Sequence, residues 1–212
     1  MQQNELDQSI PTLVGNLLRQ RKFFVNESSI SKCLDASSIS STSTIFLRLC
    51  NDIEYIVGSA CSKIMIEECK NLVLIVNDKI VTSIIEVWKS ENITLKLNTQ
   101  VQTVQVDQCE NVHIQYESIK NFYSVVWNNT KILELKLLED GEEKHALSTG
   151  DIPNEKTNPP NGDKSDKSQD NCPFQYIIRL IDDQLISEEL IRAEKGFPTT
   201  QREWNDHKNN NP

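Results

Sequence analysis

Six cysteines, three histidines and 31 acidic side chains are the residues of this 212-residue chain whose types could carry chemistry. A nucleophilic thiolate needs a histidine or a helix N-terminus beside it to lower its pKa, and a zinc site needs closely spaced Cys or His pairs. Cys33, Cys50, Cys61, Cys69, Cys109 and Cys172 meet neither condition: the tightest pair, Cys61 and Cys69, lies eight residues apart, with no CxxC. With no secretory leader in MQQNELDQSI, reduced thiols in a cytosolic setting are expected rather than a disulfide framework. The six glycines are scattered and form neither GxGxxG nor a P-loop, so no nucleotide or other cofactor is expected. This reading assigns no catalytic residue and no metal ligand.

The cysteines do have a pattern, and it is periodic. Cys50, Cys69, Ser90 and Cys109 recur in the stretches IFLRLCNDIEYIV, IMIEECKNLVLIV, IEVWKSENITLKL and VQVDQCENVHIQY, at a period of about 20 residues. A fifth, degenerate copy is read one short period further on, in VVWNNTKILEL, with its register position at Asn128. Each copy alternates apolar and polar residues, turns at Cys or Ser, places Asp or Asn two residues later, and alternates again. Two short strands per repeat of this length make one coil of a parallel β-solenoid. The expected fold is an all-β right-handed parallel β-solenoid of about five to six coils with short flanking helices. Superposing the copies puts Ile45, Ile64, Ile85 and Val104 in one inward ladder, and Ile53, Leu72, Ile93 and Val112 in another. The Cys ladder and the ladder Asp52, Asn71, Asn92, Asn111 are read as corner structure: small residues stack there, and side-chain amides can bond from coil to coil.

On the outward side of the first limb the rows read Arg48, Glu67, Trp88, Asp107; Phe46, Met65, Glu86, Gln105; and Thr44, Lys63, Ile84, Thr103. Alternation alone would leave Trp88, Phe46, Met65 and Ile84 in water. Either a flanking helix covers them, or they form a protein-binding face anchored by Trp88 with a charged rim. His113 is read as a solvated imidazole with no partner in its row.

The flanks differ in composition. Residues 1–43 are read as an amphipathic helix (Ile10, Leu13, Val14, Leu17, Leu18) followed by a serine-rich connector, with a first irregular coil within it as the alternative, then 44–147 as the solenoid and 148–172 as a disordered, acidic, proline-interrupted linker. In 173–212 a strand or hairpin over Phe174–Leu180 is expected to lead into a helix, ending in a frayed NNNP tail. A net charge of −9 without a basic patch argues against nucleic acid, and no apolar run is long enough to span a membrane.

The repeat EECKNLVLIVND, with TQVQTVQVDQCENVHIQYES following it and LEDGEEKHAL ending the stack, resembles the C-terminal domain of cyclase-associated proteins, in the superfamily that includes the tubulin-folding cofactor C domain. The resemblance covers 44–147. It implies non-catalytic binding of actin monomers, promotion of nucleotide exchange on actin, a cytoplasmic, cytoskeleton-associated setting, and a dimer in which QYIIRLIDDQLIS (175–187) is exchanged. Partner contact is expected from Phe46, Arg48, Lys63, Met65, Glu67, Lys70, Glu86, Trp88 and Asp107. The alternative is a cofactor-C-like, GTPase-activating or tubulin-folding factor, or a scaffold without either activity. That branch presents an arginine ahead of a corner, and the matching position before Cys109 is Gln102, which carries no charge.

Overall fold

The computed structural model describes residues 20–151, 174–192 and 198–210. Strands alternate between two sheets. One holds β1 (Arg21–Val25), β3 (Thr44–Arg48), β5 (Lys63–Glu67), β7 (Ile84–Trp88), β9 (Val101–Asp107) and β11 (Phe122–Asn128). The other holds β2 (Ser31–Leu34), β4 (Asn51–Val57), β6 (Lys70–Val76), β8 (Glu91–Leu97), β10 (Glu110–Tyr116) and β12 (Leu133–Glu139). All neighbours in these two series pair in parallel, so successive strand pairs are six coils of a β-solenoid. The stack begins before residue 44, because β1 and β2, in the stretch read as helix and connector, form a complete opening coil. The amphipathic segment 10–18 and nearly all of the linker lie outside the described residues.

The inward ladders fill the interior. Ile45, Ile64, Ile85 and Val104 are fully buried, as are Leu72, Ile93 and Val112, with Ile53 only 3% exposed. Each such aliphatic side chain contributes about 1.5–3 kcal/mol on leaving water. Cys61 and Ile80, bridged in parallel, fill the side where each coil returns.

The corner explains the repeat. The residue before each corner, Asn26, Leu49, Glu68, Lys89, Gln108 and Asn129, has φ between 43° and 57°, and Asp52, Asn71, Asn92 and Asn111 have φ between 50° and 58°. Asn and Asp tolerate this left-handed region better than other non-glycine residues. Their side chains also bond along the stack: the Asn71 amide donates to Asp52 (2.8 Å), Asn92 to Asn71 (2.9 Å) and Asn111 to Asn92 (2.7 Å). Between the two left-handed residues the thiols donate to backbone carbonyls: Cys50 to Phe24 (3.3 Å), Cys69 to Glu67 (3.3 Å) and Cys109 to Asp107 (3.2 Å). Ser90 makes the same bond to Trp88 at 2.7 Å. In the last coil Thr130 takes this position, donating to Asn128 (3.1 Å) and Val106 (3.4 Å). The fifth register position is therefore Thr130 and not Asn128, because the corner follows the hydroxyl and not the asparagines of WNNT.

At the first coil Glu27 stands where later coils have Cys, its carbonyl accepting from Asn51 as that of Cys50 accepts from Lys70. Its carboxylate accepts from Tyr55 (2.7 Å) and Lys32 (2.7 Å). Burial alone would raise the Glu27 pKa, but the Lys32 and Tyr55 hydrogen bonds and the Lys32 charge outweigh it and hold the carboxyl below its ordinary value.

The other end closes antiparallel. A two-residue turn at Asp140 and Gly141, both at positive φ (55° and 79°), sends β13 (Glu142–Ser148) back along β12. On the first sheet β14 (Gln175–Ile181) pairs antiparallel with β11 and continues into β15 (Gln184–Arg192) and β16 (Pro198–Thr200). The segment expected to be helical after Leu180 is thus a strand. Asp182 and Asp183 at φ 48° and 64° make a tight hairpin turn, and pairing with the edge of β11 outweighs helix propensity. The helix comes later, as α1 (Gln201–Asn210), started by a capping box: Thr200 N–H donates to Glu203 (3.1 Å) and Glu203 N–H to the Thr200 hydroxyl (3.3 Å). Trp127 seats the hairpin, stacking on Tyr176 (centroids 4.7 Å) and donating to Ser187 (3.2 Å).

Two outcomes check this architecture. Asn71→Ala severs the amide ladder in both directions and leaves alanine at φ 50°, so urea unfolding is expected to show a loss of about 2–4 kcal/mol. Asn71→Gly, which relieves only the backbone, is expected to lose less than Asn71→Ala; an equal or greater loss contradicts the corner account. Burial also raises the thiols of Cys61 and Cys69 to about 12 and that of Cys109 to about 11. Native protein treated with iodoacetamide at pH 8 is expected to be modified at exposed Cys33 and spared at Cys50, Cys61, Cys69 and Cys109 until it unfolds, as peptide mass mapping reads directly.

Candidate functional site: the outer face of the first sheet

In-register parallel pairing turns the outward residues of β1 to β9 into rows across the strands. One row runs Phe23, Phe46, Met65, Glu86, Gln105, and the next Val25, Arg48, Glu67, Trp88, Asp107. A third runs Arg21, Thr44, Lys63, then, past one strand step, Ile84 and Thr103. Eight of the nine residues expected to contact a partner share this face: Phe46, Arg48, Lys63, Met65, Glu67, Glu86, Trp88 and Asp107. Lys70 does not, because it opens β6, past the corner on the other sheet, where its ammonium pairs with Glu91 at 2.7 Å.

The charges on the face are internally matched. Lys63 pairs with Glu86 at 2.6 Å, with side chains 27% and 15% exposed, so this pair is set among its neighbours and not free in solvent. Arg48 reaches both Glu67 (3.4 Å) and Glu68 (3.2 Å). Gln105 donates to one oxygen of Asp107 at 2.6 Å, while the other, Oδ1, is buried without a hydrogen-bond partner among the described residues. Phe46, Met65 and Trp88 are half-buried between these charges. The most open apolar groups are Phe23, stacked on Phe46 at 4.7 Å and 57% exposed, and Val25, 44% exposed. Both lie in the first coil, and sequence reasoning missed them. Their signal was the aromatic and β-branched run FFV after two basic residues, hidden by its junction with a helical pattern.

A cover by the chain's own C-terminal helix is not what α1 provides. It packs on β15 and β16, with β9, β11 and β14 between that end of the sheet and β7, and is tied by Arg202 to Glu188 (2.9 Å) and by a Glu203–Arg179 ion pair.

The second sheet's outer face carries His113, and here the expectation needs correcting. Its Nδ1 lies 3.0 Å from Glu134, the neighbour in register on β12, which a row ended at the fourth repeat leaves out. Both side chains are 40% exposed, so this is a surface pair. Among the described residues no group of three or more His, Cys, Asp or Glu could hold a metal, and no helix is long and apolar enough to cross a membrane. Aromatic, thioether and paired charged side chains thus lie side by side on a parallel sheet held in register.

Comparison with known proteins identifies the family. Among solved structures, a cyclase-associated protein from Cryptosporidium parvum superposes with a TM-score of 0.49 at 20% identity, over 80% of this chain and 90% of that one. No curated protein matches by sequence. The family described as "Adenylate cyclase associated (CAP) C terminal" matches residues 15–146, well over half of the chain and every coil of the solenoid. The match favours the cyclase-associated branch and lends no support to the tubulin-cofactor alternative. The chain belongs to the family of adenylate cyclase-associated protein C-terminal domains.

Proposed function

We propose that this protein is a non-catalytic binder of actin monomers that acts in cytoskeletal regulation in the cytoplasm, with the outer face of the first sheet as its contact surface. The family match carries this reading. The face supports it: Trp88 and Phe46 supply aromatic anchors, and Lys63–Glu86 and Arg48–Glu67 hold the surrounding charges in fixed positions. A surface of this kind changes a client's nucleotide exchange only by binding one of its conformations better than another, which requires rigidity. Coils held by corner ladders and a continuous core provide that rigidity. The partner contacts are Phe46, Arg48, Lys63, Met65, Glu67, Glu86, Trp88 and Asp107, with Lys70 at the rim around the corner.

Titration of the full chain against fluorescently labelled ADP-actin tests the reading. Saturable binding at or below tens of micromolar is expected, weakened about tenfold or more by Trp88→Ala with the thermal unfolding midpoint little changed. No binding in that range removes actin as the client.

We further infer a dimer through exchange of the β14–β15 hairpin, whose ties to the solenoid, the antiparallel pairing with β11, the Trp127–Tyr176 stack, the Trp127–Ser187 hydrogen bond and the His145–Asp183 pair, transfer to a second subunit without new chemistry. Sedimentation equilibrium is expected to give twice 24.3 kDa at micromolar concentration; a single 24.3 kDa species contradicts the dimer.

A further inference from the structure

The opening strand leaves one side of its backbone unused. Gln20 C=O accepts from Thr44 N–H (2.7 Å) and Asn26 N–H donates to Arg48 C=O (3.1 Å), so by the alternation of a parallel ladder the even-numbered residues of this stretch bond to β3. Arg21, Phe23 and Val25 therefore direct their N–H and C=O groups away from β3, toward an edge that no strand among the described residues occupies. Two of these residues, Phe23 and Val25, carry exposed apolar side chains, and Ile30, 95% exposed, lies just beyond them.

Charge separates this edge from the rest of the face. Arg48, Lys63 and Lys32 each have a carboxylate partner. Arg21 and Lys22, at the start of β1, have none among the described residues. Natural edge strands are commonly blunted by charge, proline or a bulge. Here charge guards only the first two positions, and Phe23 to Val25 stay extended and in register.

We propose that the free edge of β1 takes up an extended, acidic segment of a partner protein as an added strand. The unused N–H and C=O groups of Arg21, Phe23 and Val25 supply the main-chain hydrogen bonds. Every second residue of the incoming strand is apolar and extends the row Phe23, Phe46, Met65, the carboxylates between them lie on the opposite face with Lys22, and Arg21, at the start of the outer row, adds a second unpaired positive charge to the edge. This site lies at the end of the stack and does not depend on the identity of the client bound by the sheet face.

Fluorescence anisotropy on the full chain tests it, with a fluorescein-labelled peptide of about ten residues alternating valine and glutamate, and a counterpart alternating valine and lysine. The acidic peptide is expected to bind and the basic one not. The double variant Arg21→Glu, Lys22→Glu is expected to weaken the acidic peptide about tenfold. Val25→Pro removes an N–H from the free edge and none from the β3 ladder, and is expected to abolish binding, whereas Val25→Thr retains it. Circular dichroism reports whether each variant folds; should Val25→Pro not fold, the charge-reversed variant decides. Failure of the acidic peptide to bind the full chain, the result if residues 1–19 occupy the edge themselves, overturns the proposal. So does equal binding of the two peptides, or binding indifferent to the charge reversal.

Discussion

The structure depends on one local constraint, the corner where each coil passes from the first sheet to the second. The chain there needs two left-handed residues around a small one, six times in the first position, from Asn26 to Asn129, and four in the second. Each left-handed non-glycine residue costs about 1 kcal/mol, and an isolated coil has nothing to offset it. Stacking changes the balance. The thiol or hydroxyl between the two residues bonds to carbonyls of its own coil and the one before, and the Asn side chains bond to one another along the stack. The corner is thus strained in one coil and satisfied in a series of them, the behaviour expected of a solenoid whose units are stable only together.

From the corner follow the flat outer faces. Fixed corners hold the strands in parallel register, and register lines up side chains in rows, which is how Phe46, Met65 and Glu86, each a full coil apart in sequence, come to adjoin. The ends need other solutions, because there the ladder has no next coil. At the start, Glu27 replaces the cysteine and turns the corner into a polar cluster with Lys32 and Tyr55. At the finish, Thr130 replaces it and two hairpins run back antiparallel over the last strands. A parallel stack can be ended this way without leaving a long unpaired edge.

The repeat made the core and the rows of the first sheet legible, because alternation with period two inside a recurring coil leaves little freedom: a one-residue slip would turn Ile64 and Ile66 outward. The ends were less legible for the same reason. Glu27 does not resemble Cys50, so the opening coil showed only as a connector or an irregular coil, and Phe23 and Val25, read into the preceding helix, were lost. The hairpin at Asp182–Asp183 lacks glycine, and the spacing of Leu185, Ile186, Leu190 and Ile191 suits a helix as well as a strand, so only pairing with β11 decides it. The capping box at Thr200 and Glu203 was present in the sequence and marks the true helix start. Lys70 entered the expected set through the family resemblance and not through the rows, and it lies past the corner, where two residues separate the strands of the two sheets.

The corner account is tested most directly by exchange of the side-chain amide protons of Asn71, Asn92 and Asn111, measured by NMR in the native protein. Their three hydrogen bonds, 2.7 to 2.9 Å long, lie at a surface that water reaches. If the ladder carries the stack, these protons exchange about tenfold or more slowly than those of other exposed asparagines, and all three are released together on unfolding. Exchange as fast as at other exposed asparagines would show that the core alone holds the coils in register and would contradict the account.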